Sequence, residues 1–163
     1  MKQKIYTLVF VKKQNEVLLG LKVRGFGVGL WNGFGGKVEQ GESIQEGAKR
    51  ELKEESNLDV DKLKHVGIVT YKEDFCRAIV HVFTTHNTTS HLKPSEEMNP
   101  VTWYNFSNIP YQKMWPDAKL WYPYMLRDEH FLAEITYVGN KITETLITPC
   151  NANEIQTVLK SLV

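Results

Sequence analysis

Cysteine is nearly absent from this chain: of 163 residues only Cys76 and Cys150 are cysteines. They form no Cys-x-x-Cys pair, which argues against a thiolate zinc site and for a reduced, cytoplasmic setting. A short internal signal toward mitochondria or nucleus stays compatible with that reading. A charge of one sign is equally lacking. The formal net charge is +1, so no global field draws the chain to a nucleic acid polymer or a membrane surface. No apolar run is long enough to cross a bilayer. Met1 to Tyr6 leads straight into a strand pattern, so no signal peptide is expected. Repeats, low-complexity tracts and Pro/Ser-rich linkers are missing too, and residues 1–163 read as one domain around one core.

What is present is a mixture of strand and helix signals. Ile5 to Val11 and Val17 to Val23 are apolar and β-branched around a polar turn, Lys12 to Glu16, and predict a hairpin. Arg24 to Gly36 is dense in glycine and predicts loop and short strand, where backbone comes close to something else. Ser43 opens a helix to about Asn57. Glu46 is its capping-box partner, Ile44, Gly47, Ala48 and Leu52 form its apolar stripe, and Asn57 is its left-handed terminator. Leu63 to Tyr71, Arg77 to Thr85 and Val101 to Tyr104 read as strands, with a polar loop from His86 to Asn99. Asp117 is read as the cap of a helix through Arg127. Leu132 to Val138 and Lys141 to Ile147 predict a hairpin across Gly139-Asn140. A last helix follows Asn151, with Glu154 in its cap and Ile155, Val158, Leu159 and Leu162 on one side. Without regular βαβ alternation, the class is α+β with a mixed sheet.

Glu51, Glu54 and Glu55 stand at i, i+3 and i+4, so one helical face gathers three carboxylates. Like charges so close repel unless a cation joins them. Mg²⁺ takes oxygen ligands and leaves room for water and phosphate oxygens. Arg50 can pair with one carboxylate and fix its orientation. Taken alone, a Glu-x-x-Glu-Glu face is most often just solvated. Here it follows Gly36, five residues, Glu42, seven residues, and then Arg50-Glu51-Leu52-Lys53-Glu54-Glu55-Ser56-Asn57-Leu58.

That pattern resembles the Nudix box GX5EX7REUXEEXGU, over residues 36–58, with Asn57 in place of the last glycine. Asn tolerates the left-handed conformation next best after Gly, so the departure is mild. Tyr6-Thr7-Leu8-Val9, Arg24-Gly25-Phe26-Gly27, Trp31 to Val38, His81-Val82-Phe83 and Met114-Trp115-Pro116-Asp117 are similar to the animal oxidised-purine nucleoside triphosphatases of that family. The resemblance covers about residues 4–147. It implies a mixed sheet between helices, with about 151–163 added as a C-terminal helical extension. It implies that Gly35 offers a carbonyl to metal beside the carboxylates of Glu51, Glu54, Glu55 and Glu97. Glu54 or Glu55 would assist deprotonation of water, with Arg50 and Glu51 in the same catalytic set. Thr7, Lys22, Asn32, Phe34, Gly35, Gly36, Lys37, Trp115, Pro116 and Asp117 would bind substrate, and Phe26 and Trp121 would line the pocket.

The implied cofactor is Mg²⁺, with Mn²⁺ as substitute, neutralising phosphate oxygens and lowering the pKa of a bound water. The implied reaction is attack between α- and β-phosphorus, giving a nucleoside monophosphate and pyrophosphate. The implied partner is a small nucleotide, neither a nucleic acid polymer nor a membrane, met by a monomer. Two alternatives stand beside it. One is another nucleoside-diphosphate substrate, such as a dinucleoside polyphosphate or nucleotide sugar. The other is a non-catalytic nucleotide-binding module, which would be expected to have lost box carboxylates; Glu42, Glu51, Glu54 and Glu55 are all kept.

Read without the family, several of these residues have plainer roles. A buried tryptophan is usually core, so Trp115 and Phe26 earn a stacking role only from their context. Asn32 can bond a purine edge in either amide orientation or serve as a turn residue. Lys37, behind two glycines, is better placed for phosphate than Lys22. The five histidines show no metal-ligand spacing and are assigned no chemistry. Tyr71 and Phe75 fall in a segment shorter than the family's, and no role is carried onto them. One departure has a chemical consequence: the family has two adjacent aspartates after Trp-Pro, and here they are Asp117 and Ala118. A carboxylate pair can share a proton and so offer donor and acceptor together. A single carboxylate is an acceptor, which favours a guanine-type edge with N–H donors over an adenine-type edge.

Overall fold

The computed structural model describes residues 2–86 and 91–161. Part of the expected 86–99 loop and Leu162, at the end of the last helix, lie outside them. The strands are β1 (Lys2–Lys13), β2 (Glu16–Lys22), β3 (Trp31–Asn32), β4 (Lys64–Glu73), β5 (Cys76–Thr85), β6 (Met98–Asn105), β7 (Phe131–Val138) and β8 (Lys141–Pro149). The helices are α1 (Ile44–Ser56), α2 (Ala118–Leu126) and α3 (Ala152–Ser161). The strands make a mixed sheet in the order β3-β2-β1-β5-β4-β7-β8, with β6 paired to the other edge of β2. This is the expected α+β sandwich of helices around a mixed sheet.

β1 departs from the simple hairpin. It pairs with β2 only at Lys12 and Lys13 and runs parallel to β5 from Lys2 to Val11. Its residues Thr7 to Lys12 are buried without interruption, as a central parallel strand covered on both faces requires. Alternation then splits the core. Leu8 and Phe10 pack with Trp121, Tyr122 and Met125 of α2. Val9 and Val11 pack with Ala48 and Leu52 of α1. α3 closes over Ile68 and Ile79 with Ile155. Because Ile79 and Phe83 share a face of β5, α1 and α3 lie on one side of the sheet and α2 on the other.

The caps follow the expected chemistry. Ser43 Oγ accepts from Glu46 N, and Asn57 terminates α1 at φ 67°. Asn151 and Glu154 exchange side-chain bonds with each other's backbone N–H, a complete capping box. Asp117 is the exception. It precedes α2 with helical φ and makes no side-chain cap bond, because its carboxylate is engaged elsewhere. Among the described residues no helix is long and apolar enough to cross a membrane.

Candidate active site

The site is built where the segment 33–37 threads between β1 and α1. Phe34 exchanges both backbone bonds with Val9, and Gly36 accepts from Thr7 N. Gly35, between them, turns the other way and donates its N–H to Glu55 Oε1 at 2.8 Å. In extended chain the N–H and C=O of one residue share an edge, so the Gly35 carbonyl also lies toward α1. Only glycine fits there. A Cβ on Gly35 would overlap the Thr7 carbonyl, and one on Gly36 would meet Glu51 Oε1 at 2.5 Å.

Arg50 organises the carboxylates of α1. It bonds Glu42 at 2.8 and 3.0 Å, Glu51 at 3.0 Å and Glu54 at 3.3 Å, and it reaches the Lys37 carbonyl. Those bonds hold the Glu42 carboxyl down to about 2, and Glu42 reinforces the guanidinium charge in turn. Arg50 therefore fixes several carboxylates rather than the single one expected. Burial raises Glu51. Burial also pushes Glu55 up to about 8, against the Gly35 N–H and Lys22 that favour its charge. Its Oε2 is buried with no hydrogen-bond partner.

Lys22 ties the distant loop to this helix. Its ammonium lies 3.2 Å from Glu97 Oε2 and 3.9 Å from Glu55 Oε2. Burial raises Glu97, but the Lys22 bond and charge outweigh it and hold the carboxyl below its ordinary value. Among the described residues no three acidic, histidine or cysteine side chains close around one point. The carboxylates are instead shared out among Arg50 and Lys22. The donor set still fits a hard divalent cation: all oxygen, with one buried carboxylate oxygen that accepts no hydrogen bond. Glu51, Glu54, Glu55, Glu97 and the Gly35 carbonyl would hold it.

The second half of the site lies on the α2 side of the sheet. Asp117 is 1% exposed. Its Oδ2 accepts from Tyr71 O–H at 2.6 Å and Trp121 N–H at 2.7 Å, and its Oδ1 from Tyr137 O–H at 2.7 Å. Burial raises both tyrosines, so they stay protonated donors. A carboxylate has about four acceptor positions, so roughly one remains. Asn32 sits on β3 with Oδ1 bonded to Tyr122 O–H and Gly33 N–H. Trp115, half-buried, carries Phe26 stacked on it at 5.0 Å, and Phe26 is 88% exposed.

Several expected roles change. Trp121 is 2% exposed and packs on Phe10 and Phe131, so it holds Asp117 instead of lining a pocket. Phe34 is core, and its backbone groups are already used by Val9. Thr7 is buried with its hydroxyl turned to the Gly36 carbonyl. Lys22 faces carboxylates. Lys37 and Pro116 are exposed. Tyr71, Tyr122 and Tyr137 were missed. Only the bulk of a tyrosine shows in sequence, and the partner of its hydroxyl comes from elsewhere in the chain. Phe75 is 89% exposed, at the β4–β5 turn. The histidines also hold a surprise away from the site: His65 and His81 pair at 3.2 Å, and burial drives them down to about 3 and about 4.

A glutamate-bearing helix after a glycine-lined loop, held on a mixed sheet, defines a Nudix hydrolase. The NUDIX domain model matches residues 1–125, and the chain belongs to that family, whose members need a divalent cation. The oxidized purine nucleoside triphosphate hydrolase of Mus musculus is 43% identical over 136 residues, 82% of this chain and 86% of its own length. That of Danio rerio is 43% identical over 141 residues, 85% of this chain and 90% of its own. The mMutator MutT protein of Bacillus halodurans shares the fold, with a TM-score of 0.79 at 24% identity over 88% of this chain and 97% of that one.

Proposed function

We propose that this protein hydrolyses oxidised purine nucleoside triphosphates of the 8-oxo-dGTP type to a nucleoside monophosphate and pyrophosphate, with Mg²⁺, and so cleanses the nucleotide pool. The observation that carries it is the joining of two unlike half-sites by one short segment: β3 and the loop after it lead from Asn32 to Gly35. One end offers carboxylates for a cation that meets phosphate. The other offers Asn32, Asp117 and the Trp115–Phe26 pair for a base. The two animal relatives are named for hydrolysis of oxidized purine nucleoside triphosphates.

When bound, Mg²⁺ supplies charge neutralisation on the triphosphate and acidifies water. The chain's own groups do the rest. Glu55, fixed through one oxygen by the Gly35 N–H and with no hydrogen bond on the other, is placed to take a proton from the attacking water. Arg50 keeps Glu51 and Glu54 oriented, and Lys37 stands on the exposed rim for phosphate. The one free acceptor position of Asp117 suits a base N–H, which favours guanine-type over adenine-type substrates. The protein works on free nucleotides as a cytoplasmic monomer.

A substrate panel with Mg²⁺ or EDTA tests this, with 8-oxo-dGTP, 2-oxo-dATP, a dinucleoside polyphosphate and a nucleotide sugar. Pyrophosphate release from 8-oxo-dGTP, abolished by EDTA, is expected. In ¹⁸O-water the label should enter one of those two products. Primary release of phosphate, or a preference for the polyphosphate or the sugar, would overturn the reading.

A further inference from the structure

α2 reaches the polar groups of the base side with consecutive residues. Trp121 gives its N–H to Asp117, and Tyr122, next along, gives its O–H to Asn32 Oδ1 at 2.6 Å. The same Oδ1 accepts the Gly33 backbone N–H at 2.9 Å. A backbone N–H only donates, so the oxygen of the Asn32 amide must face it. Tyr122 is fully buried, and burial lifts it well above an ordinary tyrosine, so it keeps its proton. Both acceptor positions of Oδ1 are then filled. Turning the amide over would leave two buried donors, the Tyr122 O–H and the Gly33 N–H, without their acceptor, even with the Tyr122 oxygen accepting from Nδ2. Asn32 itself is half-buried on β3, and among the described residues its side-chain hydrogen bonds are made by Oδ1, not Nδ2.

We propose that Tyr122 is a positioning residue that holds Asn32 with only its N–H₂ toward the ligand, and thereby selects bases with a carbonyl at position 6 over bases with an amino group there. This rests on the base-side reading given above. A 6-carbonyl accepts from Nδ2, whereas a 6-amino group meets it donor to donor. Tyr122 acts through Asn32 and does not itself meet the base. Without its hydroxyl, the flip strands one buried donor, the Gly33 N–H, instead of two, and a 6-amino base can then be met by Oδ1.

The test compares kcat and KM for 8-oxo-dGTP and 8-oxo-dATP, which share the 8-oxo group and differ on the Watson–Crick edge. The proteins are wild type, Tyr122→Phe, Asn32→Ala, the double variant and Asn32→Asp. Tyr122→Phe should lower the 8-oxo-dGTP preference by about fivefold to tenfold, the scale of one net hydrogen bond. The change should fall in KM with kcat within ~2-fold, as expected for a group remote from the reacting phosphorus. In the Asn32→Ala background Tyr122→Phe should change the ratio no further. Asn32→Asp, which keeps the acceptor but removes the amide donors, should itself shift the ratio toward 8-oxo-dATP, whether or not Tyr122→Phe folds. An unchanged ratio in Tyr122→Phe, an equal shift in the Asn32→Ala background, or no shift in Asn32→Asp overturns the inference alone. A wild type that hydrolyses neither nucleotide overturns the proposed function with it.

Discussion

The two halves of the site are finished to different degrees. At the α1 end, Glu55 is buried with one oxygen that accepts no hydrogen bond, Arg50 serves several carboxylates and Lys22 serves two. At the α2 end, Asp117 is as buried but takes three donors, and Asn32 Oδ1 takes two. The first half is an electrostatic deficit of the kind a cation would correct. The second is a satisfied network with few remaining valences. An open charge centre binds through charge and tolerates many phosphates. A closed network binds through shape and donor–acceptor order, which is where selectivity resides.

The largest break in that contrast should come from Glu55→Gln. Pyrophosphate release should fall by about 10²-fold or more in kcat, the usual scale for losing acid–base or electrostatic help. The metal-free melting temperature should hold or rise, because a buried carboxyl with one oxygen lacking a hydrogen bond is replaced by a neutral amide. Glu54→Gln, at a position 56% exposed, should lose activity with no change in melting. Full activity in both would sink the assignment of the α1 end.

Asp117→Asn should show the opposite signature. One oxygen becomes an N–H₂ that faces a tyrosine or indole donor, so the denaturant midpoint should drop by the equivalent of ~2–3 kcal/mol. KM should rise with it. A variant as stable as wild type would show that the three bonds to Asp117 are not made in solution. Tyr137→Phe removes one of the donors to Asp117 and should cost about 1 kcal/mol.

The pH dependence of folding should come from a third place. His65 and His81 are held neutral, at about 3 and about 4, by burial first, with mutual repulsion and His130 adding at His65. Unfolded histidine titrates near 6.5, so below that the unfolded chain binds more protons. The histidines' contribution to stability is complete above about pH 7 and falls as pH drops from about 6.5 toward 4. The slope is at most about 1.4 kcal/mol per pH unit for each histidine. Melting curves of wild type and His81→Phe across that window check it; the variant should be the flatter. The smallest effect should be that of Phe26→Ala. An 88% exposed ring contributes under about 0.5 kcal/mol to folding, so its loss should appear in KM for oxidised purines and not in the melting temperature.

Local chemistry is what the sequence by itself determined. Ser43 and Asn57 bound α1 because a hydroxyl cap and a left-handed Asn act within one turn of chain. Glu51, Glu54 and Glu55 share a face because helical spacing alone puts them there. Gly35 marks a close approach because a Cβ there would overlap the Thr7 backbone, and one on Gly36 would displace the Glu51 carboxylate. The tertiary structure alone decided what those groups meet. β1 looks like half of a hairpin, but continuous burial on both faces makes it the parallel partner of β5. Asp117 looks like a helix cap, but Tyr71 and Tyr137 arrive from β4 and β7 to claim it. Trp121 looks like a pocket wall, and Tyr122 like plain core. Their polar atoms turned out to hold the Asp117 carboxylate and the Asn32 amide. A hydroxyl or indole N–H has no periodicity to betray its partner, so such bonds exist only once the sheet has brought distant strands and α2 together.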